Sequence, residues 1–467
     1  MPENQTPTPN AAELREAVDA GFPTAVADLS NLVRIPSVSW DGFDPAHVEA
    51  SAEAVRALAE ATGVFEQIEV VQVPYGDAGR LGHPAVIATR AARNGKPTIL
   101  LYAHHDVQPP GDDEAWESSP FEPTLLGERL HGRGAADDKA GVMAHIGAIR
   151  ALTEVLGTDL EVGLVLFAEG EEEFGSRSLP EIFRRYRDRI ASDVIVVADS
   201  GNWDLDTPAL TVALRGAVAF NLRVTTLEHA NHSGMMGGAV PDAPLAAIQL
   251  LATLWNADGS VAVEGLASHD AETPEYGEGK LREESGLLEG ASPIGRGEIL
   301  SRLWYQPSIT VTGMDIPDIK NASNTLVPSV RVRISARVAP GQTWQDAYAA
   351  IEAHLRAHVP HGAEIAIEDL DTGNPFLVDT SGWAASDALE TMAEAYEHDA
   401  VEIGAGGSIP FIADLVELFP AAQILITGVE DPDSRPHSPN ESVHLPTFRR
   451  AILAEALLLA RLEGRTL

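Results

Sequence analysis

Residues 98–106 read TILLYAHHD, residues 162–173 read VGLVLFAEGEEE and residues 193–199 read DVIVVAD. Each is a nearly unbroken apolar run, and each stops at or just before a histidine or a carboxylate. A run that is apolar at every residue, instead of every second one, predicts a strand buried on both faces, in a sheet covered by helices on either side. Helical patterns at about Asp138–Leu156 and Leu179–Ile190 alternate with these runs, which makes the fold class α/β with a helix-flanked mixed sheet. Ligands of such sheets gather at the carboxyl ends of the strands. His104, Glu173 and Asp199 stand there.

Outward from this core, residues 1–10 read as a disordered lead. A helix follows from about Ala12 to Val33, with an irregularity expected at Gly21–Pro23 and a stop at Ile35–Pro36. Asp44–Pro45 opens a second helix that reaches about Ala61. Short strands are expected near Ile68–Val73 and Ala85–Thr89. From Gly216 the rhythm changes to strand (Ala217–Thr226), helix (Ala243–Trp255), strand (Ser308–Thr312), strand (Ser329–Val338), helix (Thr343–His358) and strand (Glu364–Glu368). That βαββαβ order is the ferredoxin-like arrangement. A polar stretch, about Asn256–Arg302, reads as a surface excursion from it. After Asp379 come a helix (Ala384–Tyr396), the Gly-rich GAGGSIP, a strand (Gln423–Thr427) and a closing helix (Leu445–Leu462). The expected organisation is one α/β domain, residues 1–212 and 378–467, interrupted by a smaller inserted domain, residues 213–377.

A chain of 467 residues is long for one core, in keeping with two domains. Lys and Arg total 32 against 70 for Asp and Glu, a net charge of −38. So acidic a surface disfavours nucleic acid and anionic lipid as partners. There is no cysteine, which removes disulfides, thiolate nucleophiles and sulfur-ligated zinc, so any metal must be held by nitrogen and oxygen. The N-terminal residues lack a signal-peptide pattern, and no apolar stretch approaches the ~18–20 residues of a membrane span. The expectation is a cytoplasmic protein without a membrane partner.

Five residue types suited to metal binding fall at corresponding places in this scaffold: His104, Asp137, Glu173, Asp199 and His437. Each has an ordinary alternative. Asp137 could cap the helix after the GRGAADDKAG turn, the three glutamates at 171–173 could form a solvated loop, Asp199 could be a turn residue, and His437 could be a solvated loop histidine. Three adjacent carboxylates at the end of a buried strand repel one another, however, and cations convert that repulsion into attraction. Asp137, Glu173 and Asp199 contribute −3 and two neutral histidines nothing, against +4 from two divalent ions. One hydroxide then neutralises the site. Two metals about 3.5–4 Å apart share and acidify such a water. Nitrogen and oxygen donors suit zinc first, with cobalt or manganese compatible. Asp106, two residues beyond His104 on an extended segment, is placed to orient its imidazole.

In order along nearly the whole chain, HHDVQPPGD, GRGAADDKAG, EGEEEFGS, VVADSG, LRG, HSGMMGG, ISARVAP, GGSIP and PHSPNE resemble the di-zinc exopeptidases and deacylases that include carnosine dipeptidases, peptidase V, carboxypeptidase G and succinyl-diaminopimelate desuccinylases. The look is nearest to the dipeptidase branch. The resemblance implies a catalytic α/β domain with an inserted lid that also forms a homodimer. It implies that His104 and Asp199 bind one zinc and Glu173 and His437 the other. Asp137 bridges both, and the Asp137–Asp138 peptide is cis. Asp106 orients His104, and Glu172 is the general base toward the metal-bridging hydroxide. From the lid, His232 stabilises the oxyanion, reaching in from a partner subunit, and Arg337 grips the substrate carboxylate, with Gly407 and Ser408 helping to hold it.

Two departures stand out. Position 105 is a second histidine where relatives usually have a non-ionisable side chain, and the segment before GGSIP reads Ile403-Gly404-Ala405 where many dipeptidase relatives carry Arg-Glu. The implied function is hydrolysis of dipeptides or short peptides with a free carboxylate. The nearest alternative is an N-acyl amino acid amidohydrolase on the same scaffold, and a remote one is a metal-binding dimer without turnover.

Overall fold

The computed structural model describes residues 10–76, 79–406 and 410–467. The backbone divides into two compact units. One holds residues 1–212, 378–402 and 414–467; the other holds 213–377 and 403–413. Residues 403–413 therefore group with the second unit, whereas the sequence reading assigned all of 378–467 to the first. The division falls within the paired strands Ala209–Leu214 and Val401–Ala405, and on the second unit's side Arg215 N–H donates to Ala405 O.

The first unit is built on parallel strands. Thr98–His104 lies between Gly163–Glu169 and Val194–Val197 and is parallel to both, with His104 opposite Glu169 and Tyr102 opposite Val197. Gln423–Ile426 continues the parallel set beyond Val194–Val197. Ala85–Arg90 and Gln67–Val71 extend the other side with antiparallel pairing. All residues of Gly163–Glu169 and Val194–Val197 are buried, as unbroken apolar runs require. Four parallel strands aimed the same way bring four chain exits to one edge.

Helix Ala11–Val33 begins with a capping box in which Asn10 and Glu13 exchange hydrogen bonds with the first turn. It runs on through Pro23, where an irregularity was expected, and its apolar face (Leu14, Val18, Ala25, Leu29, Leu32) is buried. A helix Pro410–Leu418 is also present, which the sequence reading passed over because it follows directly on the Gly-rich run.

The second unit is a four-stranded antiparallel sheet in the order Ser308–Asp315, Ser329–Val338, Gly216–Thr225, Glu364–Gly373. Numbered along the chain this is 2-3-1-4, the ferredoxin-like order. In Gly216–Thr225 burial alternates, so Val218, Phe220, Leu222 and Val224 face a core shared with helices Ala243–Ala252 and Trp344–Ala357. Among the described residues no helix is long and apolar enough to cross a membrane.

Candidate metal centre

The four parallel strands deliver His104, the turn after Glu169, Asp199 and the segment after Ile426 to one edge of the first unit. Asp137 arrives from the Gly132–Gly134 turn, and the peptide between Asp137 and Asp138 is cis. His437 comes from the loop before Ser442–His444, in a left-handed conformation (φ 59°) that is uncommon outside glycine.

Asp137 is the centre of the arrangement. Its Oδ1 lies 3.0 Å from His104 Nε2 and its Oδ2 lies 3.0 Å from His437 Nε2. His104 Nε2 is also 3.9 Å from Asp199 Oδ1, and His437 Nε2 is 3.1 Å from Glu173 Oε2. The two carboxylate oxygens of Asp137 thus face two different histidine–carboxylate pairs. The helix cap that Asp137 might have been belongs to its neighbour: Asp138 Oδ1 accepts from Gly141 N–H at 3.1 Å, and its Oδ2 accepts from His104 N–H at 3.1 Å. Asp138 also lies within donor distance of His104 and Asp199. Since both its oxygens already accept backbone N–H groups, we assign it to holding the strand end and the helix start together.

The three glutamates divide. Glu171 is buried and accepts from Ser178 N–H at 2.6 Å, His83 N–H at 3.3 Å and Arg177 Nη2 at 3.2 Å. Glu173 accepts from Gln108 N–H at 3.2 Å and Gln108 Nε2 at 2.8 Å while facing His437. Glu172 Oε2 lies 4.0 Å from His104 Nε2, and no hydrogen bond from a described residue reaches its carboxylate.

Asp106 does more than the sequence suggested. The ring Nδ1 of His104 donates to the Asp106 backbone carbonyl at 3.0 Å, with the Asp106 carboxylate farther off at 3.4 Å. That carboxylate instead accepts from Glu172 N–H and Glu173 N–H, both at 3.1 Å, and from Ser39 Oγ at 2.7 Å. One residue orients the histidine through its main chain and the glutamate turn through its side chain.

Glu441 lies four residues beyond His437. It is fully buried, and its carboxylate accepts from Arg133 Nη1 at 2.6 Å, Gly134 N–H at 3.1 Å, Ala136 N–H at 2.9 Å and Asp137 N–H at 3.1 Å. It grips the loop that presents Asp137. Glu430 adds a further, half-buried carboxylate whose pKa is pushed well above the usual range by desolvation and by Asp137 and Asp199. Its signal was available, since it follows the strand Gln423–Ile426 as Asp199 follows Val194–Val197.

Burial and neighbouring negative charge push the carboxyl of Glu173 up to about 7 and that of Asp199 up to about 6, while hydrogen bonds to Asp137 and Glu173 pull the His437 imidazole up to about 11. Without cations, this cluster needs protons to relieve its repulsion; divalent ions on imidazole and carboxylate donors relieve it directly. The donor set therefore fits hard or borderline divalent metals.

His232 and Arg337 belong to the second unit. His232 is exposed and caps a short helical turn, with Gly234 N–H donating to its Nδ1 at 3.1 Å. Arg337 lies in Ser329–Val338, opposite Ala217 and Ser308. Gly407 and Ser408 lie outside the described residues.

Residues 100–461 match the sequence model of Peptidase family M20/M25/M40. The chain belongs to this family. It is similar to the cysteinylglycine-S-conjugate dipeptidase of Corynebacterium striatum, 32% identical over 423 residues that cover 89% of this chain and 91% of that one. It is also similar to the Cys-Gly metallodipeptidase dug1 of Schizosaccharomyces pombe, 26% identical over 460 residues, 94% and 96% of the two chains. Among solved structures, the di-peptidase Dug1p of Saccharomyces cerevisiae superposes with a TM-score of 0.79 at 21% identity over 98% of this chain and 99% of that one. Human carnosine dipeptidase 1 gives 0.78 at 22% identity over 98% and 100%. These two likenesses show the fold. As an M20 family member over most of its length, the protein is a dipeptidase-like metallopeptidase.

Proposed function

We propose that this M20 peptidase hydrolyses dipeptides or short peptides that end in a free carboxylate, using two divalent metal ions, with zinc the first choice. The observation that carries the reading is the placement of Asp137, whose two oxygens each meet a different histidine at 3.0 Å. His104, Asp199 and Asp137 would hold one ion, and His437, Glu173 and Asp137 the other. When bound, such a pair polarises the scissile carbonyl and lowers the pKa of the attacking water.

The remaining steps belong to side chains. Glu172, whose carboxylate accepts no hydrogen bond from a described residue, takes the proton of the attacking water at its Oε and delivers it to the leaving amine. Asp106 keeps Glu172 in place through the backbone N–H. His232 meets the oxyanion. With Nδ1 accepting from Gly234, its ring proton sits on Nε2, the tautomer that donates outward. Arg337 takes the substrate carboxylate by its planar guanidinium. The names of the relatives, Cys-Gly and cysteinylglycine-conjugate dipeptidases, favour dipeptides over N-acyl amino acids. We further assign the enzyme to the cytoplasm, as a homodimer formed through the unit carrying His232.

A substrate panel on protein of measured metal content tests this. Cys-Gly, β-Ala-His and other dipeptides are expected to turn over faster than N-acetyl amino acids. The reverse order would make the protein a deacylase. For the dimer, mixing a His232→Ala variant with a Glu172→Gln variant is expected to restore activity after subunit exchange; no recovery despite exchange would confine His232 to its own subunit.

A further inference from the structure

The stretch 256–302, polar in sequence, is more than a surface excursion. Together with the sheet edge it lines a solvent-open pocket of ≈ 530 Å³ within the second unit, a size common among small-molecule sites. Its walls are largely aliphatic and aromatic, with Trp255, Val261, Leu266, Leu281, Leu287 and Ile299 among them. The charged residues that line it are Arg215 and Arg302, both cationic. In a chain with 70 acidic and 32 basic residues, a cavity lined by cations and no carboxylate is against the composition.

The two arginines differ. Arg302 is satisfied: its guanidinium donates to Ile294 O at 2.8 Å and to Gly297 O at 3.0 and 2.8 Å, which ties the excursion together. Arg215 is only 8% exposed, yet its side-chain hydrogen bonds to described residues are three long ones, all 3.4 Å and all from Nη1, to Arg302 O, Gln306 O and Ser308 Oγ, while Nη2 lies beside Gly406. Its Nε has no hydrogen-bond partner among the described residues. No carboxylate among the described residues forms an ion pair with it. Burial, with the charge of Arg337 adding to it, pushes the Arg215 guanidinium down to about 10. A buried guanidinium without a counter-charge is costly, and a ligand oxyanion that paired with it would remove that cost.

We propose that this cavity binds a small organic carboxylate, its apolar body against Trp255 and the leucines and its carboxylate on Arg215. This site is separate in its residues from the metal ligands and does not depend on the peptidase reading.

The test is calorimetric titration of the metal-loaded protein with butanoate, octanoate and decanoate, alongside neutral 1-octanol, with Trp255 fluorescence as a second signal. At least one carboxylate is expected to saturate a single site, with affinity at least tenfold lower for 1-octanol and for the Arg215→Gln variant. Leu287→Trp, which fills the cavity and leaves Arg215 in place, is expected to abolish binding and covers the case in which Arg215→Gln does not fold. The proposal fails if none of the three carboxylates binds, if Arg215→Gln or Leu287→Trp binds within twofold of the parent, or if 1-octanol binds as well as octanoate. It also fails if the carboxylates act only as competitive inhibitors whose potency Arg215→Gln leaves unchanged.

Discussion

Replacing Glu441 with glutamine changes one oxygen for an NH₂ group at nearly constant volume, so the consequence can be worked from the hydrogen bonds. Oε2 accepts from Arg133 and Gly134 N–H; Oε1 accepts from Ala136 and Asp137 N–H. An amide has a single acceptor oxygen. If it stays on Arg133, the NH₂ confronts the N–H groups of Ala136 and Asp137, donor against donor; turned round, it confronts Arg133. Either way two donors lose their acceptor, at roughly 1–3 kcal/mol each, and Arg133, only 1% exposed, keeps a charge with nothing opposite it. Breaking a buried pair in this manner costs about 3–5 kcal/mol, and we expect Glu441→Gln to lose that much in urea denaturation of the metal-free protein. Because the freed N–H belongs to Asp137, zinc affinity is also expected to fall, by about 10–100-fold, the range seen when a group supporting a ligand is removed. Zinc titration with a competing chelator reads this. A destabilisation under about 1 kcal/mol with unchanged zinc affinity would refute the claim that Glu441 holds the Asp137 loop.

Glu172→Gln is expected to keep its metal content while kcat falls by about 10²–10⁴-fold, the range of general acid–base catalysis; unchanged kcat in metal-loaded protein would remove Glu172 from proton transfer. Chelation is expected to abolish activity and lower Tm, and zinc at about 1,000 times its Kd should return roughly 4 kcal/mol of stability; a Tm indifferent to zinc would contradict binding to the folded form. His105 is fully buried and burial pushes its imidazole down to about 4, against an ordinary value of 6.5. Between those values the unfolded chain binds the proton and the folded one does not, so stability is full above pH 6.5 and is lost as pH falls toward 4, by up to about 3 kcal/mol. Urea denaturation of metal-free wild type and His105→Gln across that range should show the variant losing less; parallel curves would show that His105 does not titrate this way.

The parallel strands were legible because burial on both faces leaves a continuous apolar run, and three of the five candidate metal ligands, His104, Glu173 and Asp199, because they stand at the ends of such runs. The cap of helix Lys139–Leu156, offered to Asp137 in the sequence, belongs to Asp138, since adjacent aspartates look alike until the backbone decides which one turns toward the helix. Glu441 was opaque for a related reason: all its partners lie about 300 residues earlier, and three of them are main-chain N–H groups with no side-chain signature. Pro23 misled because a local penalty was read without the packing that outweighs it. The cavity of the second unit was hidden because its apolar lining comes one residue at a time from a polar stretch.

The reach of Glu441 back to residues 133–137 also sets an order of events during synthesis. Asp137 leaves the ribosome with neither His437 nor the carboxylate that grips its loop, and the 213–377 unit emerges in the interval. At about 5–20 residues per second, some 300 residues take on the order of 15–60 s. Until residues 437–441 emerge, the nascent chain holds the candidate ligands His104, Asp137, Glu173 and Asp199 without the two groups that complete the set. Completion of the candidate ligand set is thus a late event, and a chain cut short before residue 441 would lack the carboxylate that grips the Asp137 loop.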